Sequence, residues 1–214
     1  MRVASIVLGL SLSVSSAARA AEPEARRAEV EARLDAGAPY ARRWYWGWSG
    51  GFAAVSALQL GSLLVLDDPG LRADAVVGGA LAGVGAISTL ALPLSAASGA
   101  RSIRALPDET SEQRVARARA GEDALRRAAR EARFLTSWIA HAGVVGANAA
   151  AAAVSRWVYH RPWDMVALAR GTGLVVGELK VLSTPTDAID AEASLLREVT
   201  VAPTVGGVVI GGRF

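Results

Sequence analysis

Three stretches of this chain, 45–66, 75–100 and 134–155, contain no Asp, Glu, Lys or Arg. Each is at least as long as the ~20 apolar residues that carry a helix across a bilayer. Between them the pattern turns to dense Arg and acid. Residues 22–36 predict a polar helix, with Glu22/Arg26 and Glu29/Arg33 spaced i,i+4 in the favourable acid-first order. Gly37 and Pro39 are expected to end it. Residues 101–133 predict a second polar helix or helix pair, started by Pro107 and the acids behind it. Glu122/Arg126, Asp123/Arg127 and Arg127/Glu131 are neighbours on its surface. Val115, Ala118, Leu125, Ala129 and Ala132 leave a thin apolar stripe there.

The apolar stretches predict spans of about Tyr45–Leu66, Ala75–Ser98 and Phe134–Ser155. Asp67-Asp68-Pro69-Gly70 is a turn that folds the first two into a hairpin, and Pro93 lies near the end of the second. A fourth span, Trp163–Thr184, carries Asp164, Arg170, Glu178 and Lys180; a re-entrant or surface helix is its alternative. A short amphipathic helix follows Pro185, with Ile189, Ala193 and Leu196 on one side. Val199–Phe214 reads as a strand or hairpin turning at Gly206-Gly207. The expected fold is mainly α: a helical membrane protein with four spans in two hairpins, two polar Arg/Glu-rich helices and a short C-terminal β-strand or hairpin. The segments are 1–20, a signal peptide; 21–43, a polar helix; 44–100, the first hairpin; 101–133, the polar amphipathic helix; 134–184, the second hairpin; and 185–214, the tail.

The N-terminus carries Arg2, an apolar core at Ile6–Val14 and Ala18-Arg19-Ala20, the small-x-small pattern of a signal-peptide cleavage site. An uncleaved anchor is the alternative. Cleavage sets the mature N-terminus in the periplasm and the protein in the inner membrane. Alternating spans then place 22–43 and 101–133, with five and nine Arg, outside as well. Positive-inside bias argues for the reverse orientation. Alternating Val208, Ile210 and Gly212 before Phe214 resemble the end of an outer-membrane strand, which makes the outer membrane the alternative location.

Trp44, Trp46, Trp48, Trp138, Trp157 and Trp163 sit at the ends of the apolar stretches, as interface anchors do. Gly47 with Gly51, Gly79 with Gly83 and Gly173 with Gly177 are GxxxG pairs that allow close helix packing, within the chain or between copies. The halves also resemble one another. Each runs polar helix, Trp-bearing approach, span, turn, span, with Asp74 and Asp164 opening the second and fourth spans, which suggests a parallel internal repeat.

Composition narrows the function classes. The mean hydropathy is +0.30 and 52% of residues are apolar, unusual for a small soluble domain. There is no Cys, so disulfides, thiolate metal sites and Cys nucleophiles are excluded. The 23 basic residues are all Arg except Lys180, and they alternate with acids. Solvated helix faces fit this better than nucleic-acid binding. Two His, at 141 and 160, offer no metal cluster. No metalloprotease, nucleophile-elbow, P-loop or dinucleotide motif appears, so no catalytic, metal or cofactor residue is expected and the chain is expected not to be an enzyme.

Ionisable groups at membrane depth are functional-site candidates by default. Here His141 and Asn148 share a face of the third span, and Arg170, Glu178 and Lys180 lie on the fourth. They predict either a polar seam for proton or ion passage, or structural hydrogen bonds with Glu178 and Lys180 reaching the interface.

The Trp-rich approach, the Asp67-Asp68-Pro69 turn with Arg72 after it, and the late Gly177-to-Pro185 segment resemble bacterial multi-span membrane proteins with no assigned activity. The resemblance implies an envelope location and no chemistry. The expected partners are the lipid bilayer, another copy of the chain or an envelope protein. The expected role is scaffolding or assistance, with a small transporter or channel subunit as the alternative.

Overall fold

Pro39 sits inside a helix. In the computed structural model α1 runs Val3–Ser62, straight through Gly37 and Pro39, where the sequence predicts a break. Pro in a helix interior costs about 3 kcal/mol, and what offsets it is a buried stripe. Val30, Leu34, Ala38, Ala41 and Trp44 are all buried, at the three-to-four-residue spacing of one helix face. The backbone is described for 3–92, 94–197, 199–204 and 207–212, and side chains for 24–92 and 94–194. The side chains of the signal-like segment, Pro93, Leu196, the tail and the Gly206 turn lie outside the described residues.

The remaining elements are α2 (Pro69–Ala91), α3 (Ser95–Arg104), α4 (Ser111–Leu135), α5 (Trp138–Ala153), a π-helical turn (Val154–Val158), α6 (Trp163–Leu182), α7 (Asp187–Arg197), β1 (Val199–Thr204) and β2 (Gly207–Gly212). The two strands pair antiparallel, Val201 opposite Ile210. The chain is mainly helical.

Boundaries differ from the predicted ones where local chemistry is specific. The uncharged stretch 75–100 is not one helix: α2 ends at Ala91, and Ser95–Ala100 begins α3 instead. The Glu131 carboxylate takes Ser95 N–H and Oγ–H at 2.6 and 2.7 Å, which holds the start of α3 against α4. Pro107 does not begin α4. Thr110 caps it, accepting from Gln113 N–H while the Gln113 side chain accepts from Thr110 N–H, a reciprocal capping box. Asp68 caps α2, accepting from Leu71 N–H at 2.7 Å.

Two layers result. The part of α1 around Val30 and Leu34 packs with α3, α4 and α7 around Val30, Leu34, Ile103, Leu125, Ala129 and Ala188. Ion pairs lace its surface: Arg26–Glu122 at 2.8 Å, Arg104–Asp35 at 2.9 Å, Arg117–Glu31 at 2.9 Å, and Arg133–Glu192. The second layer is two helical hairpins, residues 45–62 of α1 with α2, and α5 with α6. Among the described residues two segments are long and apolar enough to cross a membrane, Pro69–Arg104 and Trp138–Val158, where the sequence predicts four. Gln59 and the Trp, Gly and Ser residues dilute the end of α1, and four charged side chains interrupt α6.

Small residues set the hairpin spacing, but not at every predicted position. Gly79 is buried; a Cβ on it would meet Leu60 at 2.8 Å, and Ser56 Oγ–H donates to its carbonyl at 2.8 Å. A Cβ on Gly177 would meet Val144 at 2.5 Å, and one on Gly173 would meet Asn148 Oδ1 at the same distance. Three of the six expected packing glycines do not behave this way. Gly47 and Gly51 are exposed, with open space where a Cβ would stand, so neither packs a helix within this chain. The physical reason is direction: α1 meets α2 through Phe52, Ser56, Gln59 and Leu60, and Gly47 and Gly51 lie off that face. Gly83 is only half-buried, and a Cβ there would meet a single atom, Ser56 Oγ, at 3.2 Å. The close approach expected of Gly79 and Gly83 together therefore belongs to Gly79, one turn nearer the connecting turn, while Gly83 faces a small side chain that leaves it room.

Candidate functional site

The five residues of the predicted seam do not form one seam. His141 and Glu178 meet, Nδ1 to Oε2 at 2.5 Å, where the start of α5 faces the end of α6. Asn148 lies two turns further along α5, buried. Its Nδ2–H donates to the Val144 carbonyl at 3.0 Å, and its Oδ1, turned toward Gly173, has no partner among the described residues.

Lys180 leaves α5 altogether. Its ammonium donates to Thr89 Oγ1 of α2 at 2.6 Å and lies 5.6 Å from the Phe52 ring centroid and 6.0 Å from that of Trp44. Two residues separate Glu178 from Lys180 on the same helix, about 200° around its axis at 3.6 residues per turn, so they point to opposite sides. Arg170 is separated again, toward the other end of the hairpins, with the charge of Asp74 acting on it.

Three participants were not predicted as site residues. Arg161 binds Asp74 with Nη2 and Nε at 2.6 and 3.3 Å, and Ser155 is buried in the π-turn. Asp74 was visible as the residue opening the second span, but Arg161 stands 87 positions away, and no local pattern joins them. The connecting turn carries His160 at φ 53°, a left-handed conformation that non-Gly residues rarely adopt.

The aromatic residues divide by direction. Trp46, Trp138, Trp157 and Trp163 are exposed, but Trp44 and Trp48 point inward. Both indoles donate to Ser183 Oγ, at 3.1 and 3.2 Å. As i,i+4 neighbours they share the face of α1 that meets the end of α6, which is why they pack here instead of facing outward as anchors. Trp157 and Trp163 meet edge to face, centroids 6.4 Å apart, and Arg156 lies over Trp163. At a helical rise of about 1.5 Å per residue, Trp138 and Trp157 stand ~28 Å apart, close to the ~30 Å of a hydrocarbon core.

No three His, Asp or Glu side chains gather into a metal-sized group among the described residues. The recess bounded by Leu34, Ala96, Leu125 and Pro185 offers about 10 Å³, room for about one water. The arrangement therefore supports ion pairing and hydrogen bonding between helices. No protein-family model, curated protein or solved structure matches the chain. The class that its own features define is a mainly helical protein with, among the described residues, two helical segments long and apolar enough to cross a membrane.

Proposed function

We propose that the chain is an integral protein of a bacterial cell envelope, seated in the inner membrane by two helical hairpins. It presents the polar bundle and the C-terminal tail as a non-enzymatic scaffold or accessory surface. The observation that carries this is the exposure of the hairpins. Only 17% of the apolar window in Trp138–Val158 is buried, whereas the core helix of a soluble domain is mostly buried. Leu58, Leu64, Ile87, Leu168 and Leu182 also face outward. Contiguous apolar surface of this extent marks a lipid or protein interface. The α1 end and α6 complete the four-span reading: the α1 end carries no charged group, Glu178 and Lys180 of α6 have partners within the protein, Asp164 is exposed at the start of α6, and Arg170 is the buried exception. A two-stranded tail does not close a barrel, so helices favour the inner membrane.

Alkaline carbonate extraction of membranes tests the embedding: the protein stays in the pellet if the hairpins are inserted, and its release sinks the proposal. A Ser111→Cys change gives a single exposed thiol for an impermeant maleimide. Labelling in intact spheroplasts places the bundle in the periplasm, as a cleaved signal requires. Labelling only after lysis places it in the cytoplasm, as the Arg distribution requires.

The second reading, a small transporter or channel subunit, is favoured by one contact, His141 to Glu178 between α5 and α6. A Glu178→Gln protein that folds and leaves ion flux in proteoliposomes unchanged removes its support.

A further inference from the structure

At the turn end of the hairpins, one carboxylate, Asp74, binds one guanidinium and its charge acts on a second. Arg161 engages both oxygens of Asp74, and the same charge acts on Arg170, which is not hydrogen-bonded to it. Arg170 is 7% exposed, and its buried Nε has no partner among the described residues. Ser155, 1% exposed, likewise has an unpartnered Oγ. The approaches of Gly173 to Asn148 and Gly177 to Val144 fix α5 antiparallel to α6. That register sets Arg170 opposite Ala151, about one turn from Ser155. Arg161 lies directly over the first turn of α2, where a Cβ on Gly70 would collide with its Nη1.

The Asp68 carboxylate also lies beside Gly70, on the Arg161 side of the cluster, so the group left without a hydrogen-bonded acceptor among the described residues is Arg170, and with Ser155 it leaves two buried donors unused. A buried charge without full pairing is costly in a low dielectric. An oxyanion supplies what Arg170 and Ser155 lack, several acceptor atoms carrying negative charge, and a guanidinium fork matches it geometrically. We propose that Arg170, with Arg161 and Ser155 beside it, binds a phosphate-class oxyanion in competition with Asp74. Arg161 and Asp74 are partly exposed beside the Tyr159–Pro162 turn, so the approach is from that end. The anion is the phosphodiester of a lipid headgroup or free phosphate. Only the lipid source rests on the membrane reading.

The test uses the full chain, purified in a neutral detergent at fixed ionic strength, with the thermal midpoint followed by Trp fluorescence. The probes are inorganic phosphate and dihexanoylphosphatidylglycerol, with dihexanoylglycerol as the phosphate-free control. A phosphate probe raises the midpoint and the control does not. A response to the lipid alone identifies a headgroup, and a response to inorganic phosphate identifies a free-anion site whether or not the chain is membrane-embedded. Arg170→Gln raises the half-saturating concentration about tenfold, the equivalent of one charge-assisted hydrogen bond. Arg170→Lys keeps part of the response. Asp74→Asn lowers the half-saturating concentration, because the competing carboxylate is gone; a merely structural Asp74 gives the opposite sign. A wild-type midpoint indifferent to both phosphate probes overturns the proposal, as does an Arg170→Gln protein of native helix content that responds like wild type.

Discussion

The polar bundle and the apolar hairpins are built from the same α-helices, yet they hide opposite things. In the bundle Leu125 is 1% exposed and the charged side chains form the outer lacing. In the hairpins Leu168 is 70% exposed and Arg170, two positions on, is 7% exposed. One chain therefore carries two solvent rules, and the changeover falls at Trp44 on α1 and at Thr136–Ser137 between α4 and α5. Water is the reference for the first region; for the second, a medium that accepts Leu and rejects guanidinium fits the same geometry.

The largest effect comes from exchanging the two rules. Leu125→Asp buries a carboxylate among Val30, Ile103 and Ala129, and a loss of about 4 kcal/mol or more, enough to unfold the bundle, is expected. Circular dichroism melts of the purified protein measure it. Leu168→Arg is the counterpart on α6. In a bilayer it costs about 2.5–3.5 kcal/mol near a helix centre, so the carbonate-resistant fraction drops while the bundle still melts normally. If Leu168→Arg leaves membrane retention unchanged, the hairpins do not follow the second rule.

How much of this was legible in the sequence follows from the same contrast. Charge-free runs and Arg/Glu spacing are local, so the polar and apolar layers could be read directly. The helix through Pro39 could not, because its support comes from α3, α4 and α7, distant in sequence. Glu29/Arg33 pairs within its own helix as the spacing implied. Arg26 reaches Glu122 across the bundle as well, and nothing near Arg26 announces that partner. The candidate site holds together only at His141 and Glu178, and the reason is geometric. His141, Arg170, Glu178 and Lys180 were grouped by depth, but depth along a helix says nothing about direction around it. Lys180 turns to Thr89 of α2, while His141 and Glu178 meet each other. The glycine pairs carry the same lesson: a four-residue spacing marks Gly51 and Gly83 as readily as Gly177, and only the partner helix decides which is pressed against a neighbour. Asp74 with Arg161 was beyond local reading, since two hairpins must pack before they meet.

A smaller effect separates glycines that set helix spacing from those that do not. Gly177→Leu drives a side chain into Val144, and overpacking of this kind costs about 1–3 kcal/mol. Gly47→Leu and Gly51→Leu enter open space and are each expected to leave the monomer's midpoint within about 0.5 kcal/mol of wild type. Thermal melts of the variants in one detergent compare them. A loss of self-association in Gly47→Leu or Gly51→Leu by crosslinking, with the melt unchanged, assigns that face to contacts between copies.

The smallest contrast lies within the lacing itself. Arg117 joins Glu31 at 2.9 Å and Asp108 at 2.8 Å, with only 12% of its side chain exposed. The hydrogen bond with Glu31 raises its pKa above the ordinary value, the charges of Glu31 and Asp108 add to this, and burial works against them. Raising the pH therefore does not neutralise this guanidinium, and the stabilisation it brings is not lost on the alkaline side. Arg33 pairs with Glu29 on the open face of one helix, where solvent screens the interaction. Arg117→Gln leaves Glu31 facing a half-buried site with its partner gone and costs about 1–2 kcal/mol, with the loss constant across neutral and alkaline pH. Arg33→Gln costs about 0.3–0.5 kcal/mol, and high salt erases most of it. Urea melts of both variants at low and high salt decide the matter. Equal losses would mean that the inter-helix bridges are no more than surface pairs, and that the bundle is held by its apolar core alone.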